Sequence, residues 1–234
     1  MVAELVAIHQ PNFFPWLGYF DKIARADTFV LLDDAQFPKK GGTWINRVRM
    51  LVNGRAVWVT APVVRSYHGM RAINEMLIEE AKPWREKLLK TIEHSYAKST
   101  HYEELEPWLQ RFVGNGTKRL AEYNIEAISS LVAELGLSAK LVRSSDLEVE
   151  GVATDRLIEI TRAVGGDAYL AGGGASGYQE DEKFEADGVE LVYQDFSHPV
   201  YEQPGEEFVP GLSVIDALLN CGLAGVRELL AAEP

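Results

Sequence analysis

Two short apolar runs near the start of the chain limit what it can fold into. Residues 3–8 (AELVAI) and 28–32 (TFVLL) are strand-length, and LGYFDKIARA between them repeats its apolar residues at helical spacing. Runs of that length with no polar alternation suit strands buried on both faces, and a helix between two of them suits a parallel pair. The turn from the first strand into the helix, HQPNFFPW, lies at the carboxyl end of that strand, where open α/β sheets place their ligands. Asp33 and Asp34 close the second strand at the same edge.

The rest of the chain continues the alternation. VWVTAPV (57–63) reads as a third strand, preceded by a turn at Asn53-Gly54. From about 82 to 135 the pattern becomes helical three times over, in PWREKLLKTIEHSYA, YEELEPWLQRFV and TKRLAEYNIEAISSLVAELG. KLVRSS (140–145) returns to strand, and ATDRLIEITRAVG is a helix with Thr154 as its expected N-cap and Gly165 as its stop. DAYLAGGGASGY runs from strand into a glycine-rich loop, VELVYQDF is a further strand, and LSVIDALLN is a short helix capped by Ser213 and ended by Gly222. The expectation is one α/β domain over 1–234, a mainly parallel Rossmann-like sheet with helices on its faces and a helical lobe over about 82–135.

Composition removes several function classes. A formal charge of −12 and a pI near 4.9 argue against broad nucleic-acid binding, which needs a basic face to displace counterions. No apolar run approaches the roughly 20 residues that span a bilayer. The single cysteine, Cys221, has no internal disulfide partner, and with no leader evident at the start a reducing cytoplasm is the expected location.

Several segments together carry a family likeness: HQPNFFPWLGYFDKI, LLDDAQFPK, NRVRM, WVTAPV, YLAGGGASGYQ with Phe184 downstream, and HPVYEQPGEEFVPGLSVIDALLNCG. The chain resembles the WbqC-like family from near its first residue to about Gly222. Members of that family are known chiefly from surface-polysaccharide and natural-product gene clusters, so the resemblance implies a tailoring step on a sugar or a small metabolite. The opening unit also looks like the first half of the adenylate-forming folds of the pantothenate synthetase group. Those enzymes hold a triphosphate with two histidines at a helix N-terminus, whereas here Trp16, Leu17 and Gly18 occupy the helix start and His9 has no partner.

The polar residues suggest where chemistry would sit. Pro11 and Pro15 stiffen the loop that carries His9, Gln10 and Asn12, and His9 is the leading general base. Asp33 or Asp34 would orient that histidine or a sugar hydroxyl, with Gln36 suited to sugar or amide recognition. Lys39, Lys40, Asn46, Arg47 and Arg49 form the densest basic patch, and the guanidinium of Arg47 is the best anion ligand among them. Gly173 and Gly174 would let a ligand approach the backbone, beside Ser176 and Tyr178; the run fits neither a P-loop nor a dinucleotide fingerprint. His198, Tyr201 and Gln203 follow the last strand, and His198 ranks below His9 as a base. The histidines and the cysteine show no paired metal-ligand spacing, so no metal is expected beyond Mg²⁺ if a nucleotide binds.

These residues and the resemblance together point to a transferase that forms an amide or ester on a nucleotide-linked amino sugar or natural-product intermediate. Its donor would be an activated acyl or aminoacyl group, free or on a carrier protein or tRNA. Nucleotidyl transfer is the enzymatic alternative, and a pathway scaffold without catalysis is the alternative from another class.

Overall fold

The computed structural model describes residues 3–40, 43–173, 180–205 and 207–231. Its centre is β1 (Leu5–His9), which pairs in parallel on one side with β2 (Thr28–Leu31) and on the other with β6 (Ala168–Ala171). Beyond β2 lies β5 (Lys140–Arg143) and beyond β6 lies β7 (Glu190–Tyr193), giving a five-stranded, all-parallel sheet in the order β5-β2-β1-β6-β7. The central strands are apolar on both faces because both faces are covered, and the edge strands are partly exposed.

Alternation along the strands divides the core in two. Ala7, Phe29, Leu31 and Leu170 face α1 (Leu17–Arg25) and α7 (Val214–Ala231), while Val6, Ile8, Val30, Tyr169 and Ala171 face α5 (Ala153–Ala163) and α6 (Asp181–Ala186). The three mid-chain helices, α2 (Trp84–Tyr96), α3 (Tyr102–Val113) and α4 (Leu120–Glu134), share the first of these cores with α1 and α7.

Three local details differ from the pattern read along the sequence. The expected strand at 57–63 is β4 (Arg55–Thr60), which pairs antiparallel with β3 (Arg47–Val52) as a separate hairpin outside the parallel sheet. Its two-residue turn has positive φ at Asn53 (51°) and Gly54 (71°), the primed geometry that matches strand twist. Thr154 does not cap α5; its hydroxyl accepts the Glu180 N–H at 3.1 Å and ties α5 to the start of α6. Gly222 does end a helical stretch, but a second one follows it directly, so α7 is two segments meeting at a glycine with φ 69°. Ser213 caps as expected, its hydroxyl accepting the Ile215 N–H at 3.2 Å.

The loop from β1 into α1 is fixed from three sides. Asn124 of α4 donates to the carbonyls of Pro11 (2.8 Å) and Ile45 (2.7 Å), joining this loop to the segment that leads into β3. The Phe13 N–H donates to Trp44 O at 2.9 Å, and at the head of α7 the Ser213 hydroxyl donates to Phe14 O at 2.8 Å. Phe13 and Phe14 are buried against Tyr123, Trp84 and Trp108 of the helical lobe. Asn124→Leu, close in size, would leave two buried carbonyls without donors. It should cost about 2–4 kcal/mol in urea denaturation, and a loss under 1 kcal/mol would show that the clamp is dispensable.

Candidate active site

The topology marks a switch point. From β1 the chain moves through α1 to β2 on one side, and later returns through β5 and α5 to β6 on the other, so strand order reverses between β1 and β6. Ligands in open parallel sheets sit outside the carboxyl ends of the strands at such a switch point. His9 ends β1, and Gly172 and Gly173 follow the end of β6. The loop after β1 and the first two glycines after β6 therefore both lie at this switch point.

His9 is held in one orientation. Its Nδ1 lies 3.1 Å from the Gln10 carbonyl, which can only accept, so Nδ1 carries the proton and Nε2 keeps its lone pair. Tyr19 donates to the same carbonyl at 3.1 Å and sets its ring edge-to-face against the imidazole at 4.9 Å. Burial pushes the His9 pKa down to about 4, the positive charge of Lys22 adds to this, and the Gln10 carbonyl opposes it. At neutral pH the imidazole is uncharged.

An aromatic row leads away from this histidine. Trp16 stands 5.9 Å from His9, Trp44 5.1 Å from Trp16, Trp58 4.9 Å from Trp44, and the Arg47 guanidinium lies 4.2 Å over the Trp58 ring. Trp16 and Trp44 are half-buried and Trp58 is exposed, so the row runs from the sheet edge out onto the hairpin. The neighbouring segments carry buried amide groups. Asn46 donates to Ala61 O at 3.0 Å, while the side-chain oxygens of Asn12, Asn46 and Asn124 and the Nε of Arg47 have no hydrogen-bond partner among the described residues.

Other residues singled out in the sequence stand elsewhere or do other work. Both aspartates face β5 and α5. Asp33 accepts from the Ser145 N–H (3.1 Å) and hydroxyl (2.9 Å), and Asp34 accepts from the Ser144 hydroxyl (2.6 Å) and Arg156 (2.5 Å). His9 is oriented by Gln10 and Tyr19 in their place. Gln36 is exposed in a bridge to Ala72, and Lys39 and Lys40 are exposed, Lys39 donating to Gly69 O at 3.4 Å. Arg49 lies on β3 opposite Trp58, and its carbonyl accepts the Ser213 N–H. Tyr201 (2.7 Å) and Gln203 (2.9 Å) donate to Asp216, which also takes the Tyr96 hydroxyl (2.8 Å) and whose pKa burial raises. That knot fastens the segment after β7 to α7. His198 packs edge-to-face on Phe196 and lines a groove of about 470 Å³ with Asp21, Arg25 and Leu229. Gly174, Ser176 and Tyr178 lie outside the described residues.

One group at the crevice escaped the reading of the sequence. Lys22 is 3% exposed, and its Nζ donates to Ile8 O at 3.1 Å, one residue before His9. Position 22 shares the inward stripe of α1 with Gly18, Tyr19 and Ile23, so helical periodicity alone marks it as a charge on a buried face.

The His9 environment carries a pH signature. Above about pH 6.5 neither the folded nor the unfolded chain protonates this imidazole, and between 6.5 and about 4 only the unfolded chain does, so stability falls as pH falls through that window. Measured by urea denaturation at pH 7.5 and pH 4.5, the wild type should lose about 2 kcal/mol more than His9→Gln. Equal losses would mean that His9 is not buried in its neutral form.

Comparison with known proteins agrees with the segments quoted above. The WbqC-like protein family matches residues 10–228. The chain is 30% identical over 219 residues to the uncharacterised protein Rv1507c of Mycobacterium tuberculosis, covering 93% of this chain and 94% of that relative. No solved structure gives a significant match. With the family spanning nearly the whole sheet, lobe and hairpin, the chain belongs to the WbqC-like protein family.

Proposed function

We propose that the protein is a tailoring transferase that forms an amide or ester on a small acceptor, of the class of nucleotide-linked amino sugars, using an activated acyl donor. One observation carries this reading: a neutral histidine whose Nε2 has no partner among the described residues stands at the switch point, at the head of a row of three indoles that ends in an arginine. Indole faces and edges stack on sugars and bases, and a guanidinium pairs with phosphate, so an elongated acceptor with a sugar at one end and phosphates at the other suits the row.

In the proposed step, His9 Nε2 takes a proton from the acceptor amine or hydroxyl as that atom attacks the donor's acyl carbon. The new C–N or C–O bond forms, the bond from the acyl carbon to the donor's leaving group breaks, and the proton on Nε2 passes to the leaving group. Tyr19 and the Gln10 carbonyl keep the ring from turning. Asn46 and Asn12, each with an unused buried oxygen, accept from acceptor N–H or O–H groups in this reading.

The reading is tested with UDP- and dTDP-linked amino sugars and acyl-CoA donors, following melting temperature and tryptophan fluorescence together. A ligand at 100 times its dissociation constant stabilises by about 2.7 kcal/mol, and one stacked on the row also quenches Trp44 and Trp58. Arg47→Ala should weaken the nucleotide sugar about tenfold or more, a loss of roughly 1.4 kcal/mol or greater. His9→Gln should keep the binding and abolish turnover. Full turnover in His9→Gln, or stabilisation without fluorescence change, would remove this assignment.

A further inference from the structure

The pairing of β1 is uneven. With β2 it extends to His9 opposite Leu31, but with β6 it stops at Ala7 opposite Leu170. The sheet therefore forks at its carboxyl edge, at the point where strand order reverses. At the fork the Ile8 carbonyl accepts from Lys22 Nζ, 3.1 Å away. The ammonium also lies 5.7 Å from the Tyr169 ring centroid, and a Cβ built on Gly172 would stand 3.9 Å from it. The tip of this α1 side chain is thus at the switch point itself, between the ends of β1 and β6.

Among the described residues a charge in that position has no carboxylate partner. Its hydrogen bond to Ile8 is the only one it makes among the described residues, which give its other N–H donors no acceptor. Asp21, next to it in sequence, accepts from Gln194 at 2.6 Å and lies 3.9 Å from Arg25. Burial brings the Lys22 pKa down to about 8 with no carboxylate opposing the shift. A buried cation is retained at such a cost where something else supplies the negative charge.

We propose that Lys22 is the anion-binding residue of the switch-point crevice, receiving a phosphate-bearing group of the ligand at the fork between β1 and β6. Which ligand carries that group rests on the transferase reading, where it belongs to the activated donor and Arg47 serves the far end of the acceptor. The seat itself rests on the fork and on the unpaired ammonium.

The test uses inorganic phosphate, pyrophosphate and acetate at constant ionic strength, with wild type, Lys22→Met and Arg47→Ala. Pyrophosphate or phosphate should raise the melting temperature of the wild type and of Arg47→Ala with saturation, and shift Lys22→Met far less. Without any anion, Lys22→Met at pH 7 should melt at or above the wild-type temperature, since it replaces a buried charge by an apolar chain of similar length; this separates lost binding from misfolding. Acetate acting in place of the phosphates, still through Lys22, would keep the seat and make its occupant a carboxylate. An equal response of wild type and Lys22→Met, or none to any of the three anions, would overturn it. If anions bind through Lys22 while no acyl transfer occurs, the seat stands and the transferase reading falls; if transfer proceeds undiminished in Lys22→Met, the reverse holds.

Discussion

The backbone between β1 and α1 passes through Phe14 at φ 41°, in the left-handed region that a side-chain-bearing residue enters only when its surroundings hold it there. Those surroundings are the rest of the molecule. The head of α7 binds the Phe14 carbonyl, α4 binds the Pro11 carbonyl through Asn124, and the segment before β3 binds the Phe13 N–H. Burying the two phenylalanine rings contributes about 2–3 kcal/mol each, enough to hold a strain of about 1–3 kcal/mol. The helical lobe, the hairpin and the last helix all meet at this loop, which is why His9 at its start and Trp16 at its end keep a fixed relation.

The parallel sheet is legible in the sequence because burial on both faces leaves a clear trace, the apolar runs LVAI, FVLL and AYLA. The three lobe helices are legible for a similar reason, since their apolar stripes follow helical spacing. What the sequence hides is pairing over distance. Asp33 and Asp34 find Ser144, Ser145 and Arg156 more than a hundred residues away, and Asn124 reaches back to Pro11, partners that no local pattern could name. The hairpin was half visible, in its Asn-Gly turn and in β4, but whether a strand joins a sheet or stands apart is decided by tertiary contacts. Lys22 was open to reading and was passed over. A lysine in an amphipathic helix is ordinarily on the wet face, and only its spacing from Tyr19 and Ile23 places it on the dry one.

Charge is distributed with the same economy. A chain of net charge −12 has many acidic groups, yet among the described residues none shares a hydrogen bond with the two basic groups at the switch point, His9 and Lys22. Asp33, Asp34 and Asp21 are each occupied by serine hydroxyls, an amide or arginine. The shift of Lys22 from its ordinary value to about 8 corresponds to a destabilisation on the order of 3 kcal/mol at neutral pH, comparable with a large core truncation. A methionine would remove that cost while filling the same space, and local rule-breaking of this kind is characteristic of sites rather than of scaffolding.

The two bases also act on each other. The Lys22 charge is one of the causes that keep His9 near pKa 4, a value at which an imidazole is neutral but a weak acceptor of protons. An anion in the fork, on the proposed assignment, would stabilise the ammonium and at the same time reverse the field felt by His9, raising its pKa toward the neutral range where general bases work best. On that assignment His9 is a weak base by itself, and an anion in the seat would strengthen it. Base strength would be coupled to occupancy through Coulombic contact alone, with no movement of the loop, which the Asn124, Ser213 and Trp44 contacts hold rigid. A rigid loop and a responsive base are compatible because the response is electrostatic.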